Sequence, residues 1–265
     1  MIYRRTLIPA ALVFFVSFSS AGCGGEEFES RWHDREIVID GDASEWRGTE
    51  QYSDDDKGIR FAVFNDGEYL YMCLSTWNAK TQQQILIRGL TVWFDAKGGD
   101  DRTYGIDFPM TKGPGEMRGL RETAAKDRAQ AIRDLLVKSR SEMVIGRSED
   151  SEGQWMFVED GKELGIEAVL ALDDRILVYE LKVPLTGGDL LPFPDGLAEG
   201  GLAGLGLEMG KIDMGEMRKQ MQGQRPPGGM GGMGGGRSGG RSGGMREIME
   251  EELEAWMKVR LAMAP

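Results

Sequence analysis

The chain has 265 residues, room for one large domain or two small ones, and a formal net charge of −12 at pH 7. An acidic protein of this kind argues against nucleic acid and anionic membrane surfaces as partners, because both would repel it. One histidine and two cysteines leave no Cys/His metal cluster, and no phosphate-binding loop is present, so the common enzyme signatures are missing.

The first element is an export signal. Arg4 and Arg5 form a short basic start, residues 6–20 are apolar apart from small hydroxyl side chains, and Ser20, Ala21 and Gly22 lead into Cys23. The apolar stretch is too short to span a bilayer comfortably as a permanent helix. Residues 1–22 are therefore expected to be removed as a signal peptide, which takes two arginines and moves the formal charge from −12 to −14. The Ala-Gly-Cys ending resembles a lipobox, which implies a lipid on Cys23 as the first mature residue. Ser20 stands where that motif has Leu, and ordinary cleavage to a soluble periplasmic product is the alternative. Gly24 after the cysteine resembles the sorting rule for outer-membrane lipoproteins, facing the periplasm or the surface. Residues 23–34 read as a flexible tether, with ordered structure beginning near Arg35.

Strand patterns follow in order. Residues 36–40 (EIVID) alternate and end at Gly41, and residues 59–65 (IRFAVFN) alternate with Ile59, Phe61 and Val63 on one face. Asp66-Gly67 is the strongest hairpin signal in the chain, and residues 69–75 form the return strand. Cys73 lies within it and reads as a small buried apolar residue. A short strand is expected at 85–87, a firmer one at 90–94, a Gly/Asp turn at 97–102, and another strand at 103–108. Later strands are expected at 143–145, 154–158, 167–172, 176–181, 204–209 and 256–261. Many short strands separated by turn signals specify an all-β, antiparallel β-sandwich or barrel.

Two segments interrupt this pattern. Residues 116–140 place Met117, Leu120, Ala124, Ile132, Leu135 and Leu136 at helical spacings, which predicts one inserted amphipathic helix. Residues 211–246 hold 13 glycines and seven Lys/Arg against two Asp/Glu, and are expected to be a long disordered Gly/Met/Arg-rich loop. A short helix at 245–254 would lead back into the last strand.

Residues 37–46 (IVIDGDASEW) carry a family resemblance. They are similar to the opening of carbohydrate-binding module family 9 and related DOMON-like domains, where a first strand runs into Asp-Gly and then Glu-Trp. Residues 61–71 (FAVFNDGEYLY) resemble the family's hairpin, residues 91–95 with 104–108 its central strand pair, and residues 165–168 with 179–185 (YELKVPL) its later pair. The blocks cover most of residues 35–261. The resemblance implies a single β-sandwich over 35–265, of immunoglobulin or jelly-roll-like architecture, with a ligand site at one face or loop end. Members of the superfamily bind sugars or haem, and fold alone does not fix the ligand.

A sugar binder needs flat aromatic faces for pyranose C–H groups and polar side chains for the hydroxyls. Trp77 with Asn78, just past a strand, is the leading candidate, followed by Trp155 and Trp32; the bland alternative is that these indoles cover the ends of the sandwich. Trp46 and Trp93 read as core, with Trp46 plugging the bottom of the sandwich, and Asp40, Gly41 and Glu45 as residues that lock the turn. Asp54, Asp56 and Asp100 are candidate calcium ligands, against the simpler reading of solvated turns. Met214, Met217, Met221, Met230 and Met233 are thioethers that could take Cu(I), against the reading of a low-complexity linker. Two Gly-x-Ser-x-Gly matches, at Ser238 and Ser242, lack the strand-turn-helix context of a nucleophile and read as chance. His33, placed near the tether, is poorly situated as a haem ligand. The sequence thus points to a non-catalytic envelope lipoprotein that binds a glycan, without a cofactor other than possible calcium. The alternative is a structural lipoprotein that docks another envelope protein, with copper binding by the Met-rich loop as a third reading.

Overall fold

The computed structural model describes residues 26–35, 37–110, 128–187, 197, 200–211 and 253–265. The expected signal peptide, Cys23, the Met-rich loop and the first part of the expected helix at 116–140 lie outside the described residues. Within them, two sheets stack face to face. One has seven strands in the order β1 (Glu26–Glu29), β13 (Glu254–Arg260), β12 (Leu202–Met209), β6 (Leu90–Asp95), β7 (Tyr104–Asp107), β8 (Glu142–Arg147) and β9 (Gln154–Phe157). The other runs β10 (Glu167–Asp173), β11 (Ile176–Pro184), β5 (Tyr69–Thr76), β4 (Ile59–Asn65) and β2 (Arg31–Trp32), with the short β3 (Tyr52–Asp54) also pairing β4. The architecture is the expected all-β sandwich.

Period-two alternation builds the core between the sheets. Ile59, Phe61 and Val63 on β4, Leu70, Met72 and Leu74 on β5, and Leu177, Tyr179, Leu181 and Val183 on β11 point inward. They meet Val92, Phe94, Ile106, Leu205, Leu207, Met257 and Val259 from the facing sheet. Each fully buried side chain of this size contributes about 1.5–3 kcal/mol.

Several expectations are corrected. Residues 26–32 are not tether: β1 pairs β13 in parallel and β2 pairs β4. The crossing between the two sheets is pinned at Ser30, whose hydroxyl donates to Asn65 Oδ1 and accepts the Ala262 N–H at 2.9 Å. Residues 85–87 are helical. They belong to α1 (Ala79–Arg88), capped by Asn78 and ended by Gly89 at φ 75°, which carries the chain from one sheet to the other. Of the predicted inserted helix, the described part is α2 (Arg128–Lys138), which seats Leu135 and Leu136 in the core. A third short helix, α3 (Val158–Lys162), follows β9.

Residues 37–42 join no sheet and bend at Asp40 and Gly41. They lie with a 3₁₀ turn, Ala43–Trp46, across the outer face of the six-stranded sheet. Trp46 is buried there with Ile37, Phe64, Tyr71, Cys73 and Val178, and not at the bottom of the sandwich as expected. The Asp-Gly-Asp-x-x-Glu-Trp pattern now has a physical cause. Asp40 accepts the Asp42 N–H and Asp42 accepts the Ser44 N–H, both at 2.8 Å; Glu45 stays exposed. Gly41 has φ 87°, and a Cβ there would fall 2.2 Å from that of Ala171. Glu180 fastens the strap from below, accepting the Gly41 N–H at 2.6 Å and the Trp46 indole N–H at 2.7 Å.

Candidate functional site

Where the strap begins, the sandwich has a hollow of about 590 Å³ lined by Trp32, His33, Asp34, Arg35, Asp66, Glu68, Tyr69, Tyr71 and Lys182. Four parts of the fold converge on it: β2 with the three residues after it, the β4–β5 hairpin, β5, and β11. Register explains the meeting. Phe64 pairs Tyr71, Tyr71 pairs Lys182 and Lys182 pairs Glu167, so these side chains form one row across the outer face.

Asp66 organises the hairpin end of the hollow. One carboxylate oxygen accepts the N–H groups of Glu68 and Tyr69, each at 2.7 Å, and the other accepts the Tyr71 hydroxyl at 2.7 Å. The Asp-Gly turn signal thus also orients a tyrosine. Tyr69 and Tyr71 stand 6.2 Å apart with rings tilted by 54°. The Lys182 ammonium lies 4.3 Å from the Tyr69 ring centre and 5.9 Å from that of Tyr71, and pairs with Glu167 at 3.1 Å. At the back, His33 stacks on Phe64 at 5.5 Å and Phe64 on Trp46 at 4.8 Å. The His33 ring is fixed further by the Arg35 main chain, whose N–H lies 3.3 Å from Nδ1. Asp34, Arg35 and Glu68 stand exposed at the rim, and Trp32 is half-buried in the wall.

Glu180, two residues before Lys182 on the same face, is a buried carboxyl. Burial pushes its pKa up to about 7, against the lowering effect of its bonds to Gly41 and Trp46. A carboxyl near 7 suits general-acid chemistry, but this one is sealed beneath the strap with both oxygens engaged. Its role is to hold the strap.

The tryptophans singled out from sequence are not brought together. Trp32 lines the hollow. Trp77 is 44% exposed at the opposite end of β5, beneath the Arg60 guanidinium at 5.1 Å. Its neighbour Asn78 is not a free ligand group, because its side-chain oxygen accepts the N–H of Lys80 and of Thr81 as the cap of α1. Trp155 is 49% exposed on β9 of the other sheet, edge-on to Phe157 at 4.8 Å. Trp93 is buried on the outer face of the seven-stranded sheet, donating to Glu208 at 3.0 Å.

The candidate metal ligands serve turns. Asp54 accepts the Lys57 N–H, which is the main cause holding its carboxyl below the usual range, and pairs with the Lys57 ammonium at 3.3 Å. Asp56 and Asp100 are exposed. Asp95 accepts the N–H groups of Lys97, Gly99 and Asp101. Among the described residues, no group of three or more His, Cys, Asp or Glu is placed to hold a metal ion. The candidate copper ligands Met214, Met217, Met221, Met230 and Met233 lie outside the described residues. No described helix is long and apolar enough to cross a membrane.

The sequence reading missed Tyr69, Tyr71, Asp66 and Lys182 as site residues and set His33 aside. The signal available was the shared parity of Tyr69 and Tyr71 just past Asp66-Gly67. The pairing that brings β11 beside them has no local trace.

No protein-family model matches the sequence, and a search of curated proteins finds no significant match. The fold is similar to solved structures of a carbohydrate-binding module family 9 from Caldicellulosiruptor kristjanssonii. One, in complex with glucose, is 11% identical with a TM-score of 0.35, over 72% of this chain and 81% of that one. Another, in complex with cellotriose, is 8% identical with a TM-score of 0.40, over 91% and 95%. These values are low, and the site is assigned from this chain's own side chains.

Proposed function

We propose that the protein is a non-catalytic carbohydrate-binding protein of the cell envelope, and that the hollow beside the strap is its sugar site. The observation that carries this reading is the convergence of Trp32, Tyr69 and Tyr71 with Asp34, Asp66, Glu68, Arg35 and Lys182 around one concavity. Aromatic rings offer faces for pyranose C–H groups, while carboxylates and cations bond hydroxyls in pairs. The Asp66–Tyr71 bond and the Lys182–Glu167 pair hold two of these groups in place before any ligand arrives, which lowers the ordering cost of binding. The export signal and the lipobox-like Cys23 support placement at the envelope, with the sandwich close to the membrane because β1 starts at Glu26, three residues after Cys23.

Calorimetric titration of the full chain with short soluble sugars, chosen by a glycan-array screen, tests the reading. At least one neutral sugar should bind, and Trp32→Ala and Tyr69→Ala should each weaken it tenfold or more. A screen with no ligand, or a ligand indifferent to both substitutions, removes the hollow as the site.

A further inference from the structure

The outer face of the seven-stranded sheet carries a second arrangement that the hollow does not use. Register sets Trp256, Gly206, Trp93, Gly105 and Arg147 in one row on five neighbouring strands. The glycines make room for the indoles. A Cβ on Gly206 would meet Cε2, Cζ2 and Cη2 of Trp256 at 2.8 Å each, and one on Gly105 would meet Cζ3 and Cε3 of Trp93 at 2.7 and 2.8 Å. Equal distances to three ring atoms mean that the Trp256 ring lies face-down on Gly206, while Trp93 packs against Gly105. Trp93 is nearly sealed at 5% exposure, whereas Trp256 remains part-exposed and turns its other face outward. At the far edge, Trp155 and Phe157 on β9 are 49% and 47% exposed. From β13 to β9 is five strand spacings, about 24 Å.

Between the two aromatic ends the face is polar, with each of two arginines set between two carboxylates. Arg102 joins Glu208 at 2.9 Å and Glu254 at 2.8 Å, and Arg147 joins Asp107 and, at 3.5 Å, Glu152. Beneath the arginines Thr91 donates to Asp107 at 2.6 Å, and both are buried, so the part-exposed arginines and glutamates are what the face offers. Such a face presents donors and acceptors without an excess of positive charge, so it suits a polyhydroxylated neutral chain and offers nothing to a polyanion.

We propose that this face is a second binding surface, a track on which an extended neutral polysaccharide lies across the strands with sugar rings on Trp256 and on Trp155–Phe157. The two sites stand on opposite outer faces of the sandwich. The hollow takes a short sugar or a chain end, and the flat face takes a run of sugars. Engaging both on one wall polymer would raise the effective affinity without any new contact.

The test is retention of the full chain on insoluble neutral polysaccharides (amorphous cellulose, chitin and mannan), with polygalacturonate beads as the anionic control. The expected result is retention on at least one neutral polymer, reduced tenfold or more by Trp155→Ala with Phe157→Ala and by Trp256→Ala. Trp77→Ala, which removes a comparably exposed indole elsewhere, should leave retention unchanged. Trp155 and Phe157 are surface residues, so their double variant remains informative even if Trp256→Ala fails to fold. The proposal is overturned by retention on no neutral polymer, by retention on polygalacturonate alone, or by equal losses in Trp77→Ala. It is also overturned if the double variant abolishes a concentration-dependent dimer and leaves retention intact, since the patch would then be a self-association surface. The hollow is read separately by titrating short sugars, so either site can fail without the other.

Discussion

The two outer faces of the sandwich solve the same problem in opposite ways. Each has a tryptophan whose indole N–H reaches a glutamate on a central strand: Trp46 to Glu180 on one, Trp93 to Glu208 on the other. On the six-stranded sheet, no cation among the described residues is bonded to the glutamate. Burial drives its pKa up to about 7, and its second oxygen takes the Gly41 N–H, so the carboxyl serves to clamp a covering strap. On the seven-stranded sheet, burial also works to raise the Glu208 pKa, but hydrogen bonds from Arg102 and Trp93 outweigh it and hold the carboxyl below its usual range. There the charged groups are paired among themselves, over Trp93, Thr91 and Asp107, which are buried. A glutamate with backbone and indole donors holds a strap; one with an arginine holds a charge pair at the surface.

The largest expected effect comes from removing the strap's anchor. Trp46→Ala deletes a 2% exposed indole packed on Phe64 at 4.8 Å and should cost about 3–5 kcal/mol in urea denaturation. It should also disturb the hollow, because His33 stacks on the other side of Phe64. A loss under about 1 kcal/mol would mean that the strap lies loosely on the sheet.

The two glutamates should pull stability in opposite directions with pH. Burial raises the Glu180 pKa to about 7 in the folded state, from its ordinary value of 4.5 in the unfolded chain. The folded state therefore holds the extra proton between those values. The stability this supplies is fully present below about 4.5 and lost as pH rises through about 7, on the order of 3 kcal/mol in all. For Glu208, with its folded pKa lowered, the contribution is present at neutral pH and lost as pH falls below the carboxylate range. Denaturation midpoints from pH 3 to pH 8 for wild type, Glu180→Gln and Glu208→Gln check this. The wild-type advantage over Glu180→Gln should shrink between pH 4.5 and 7, and that over Glu208→Gln should shrink toward pH 3. Parallel curves would contradict the assignment of either carboxyl.

Much of the fold was legible in the sequence, though the contrast between its outer faces was not. The alternation of Ile59, Phe61 and Val63, the Asp66-Gly67 turn and the strand at 90–94 gave the sandwich because period and turn chemistry are local signals. Residues 85–87 misled because a three-residue apolar run reads alike in a strand and a helix; Asn78 as a cap and Gly89 as a stop were the better evidence. Residues 26–32 misled because their pairing with β13 and β4 depends on residues far away in the chain. The hollow was half visible: Trp32 was singled out, while Lys182 was hidden by being more than a hundred residues from Tyr71, its partner across the sheet. Trp77 and Trp155 were chosen as aromatic faces for a sugar; both are exposed, but exposure alone does not say which indoles share a site.

A smaller effect sharpens the comparison at the hollow. Asp66→Ala removes the acceptor of two N–H groups and of one Tyr71 hydroxyl bond and should cost about 1–3 kcal/mol, while weakening sugar binding by loosening the Tyr71 ring's orientation. Tyr71→Phe separates the two consequences, since it loses the hydrogen bond to Asp66, worth about 1 kcal/mol, and keeps the ring. The smallest effect belongs to the seven-stranded sheet. Trp155→Ala removes a side chain that is 49% exposed and should change stability by no more than about 0.5 kcal/mol. An indole kept on an edge strand at so little benefit to folding needs another reason to be there, and retention on a polysaccharide supplies one. If Trp155→Ala instead destabilises as Trp46→Ala does, the outer face of the seven-stranded sheet is a covered face like its counterpart, and the contrast between the two dissolves.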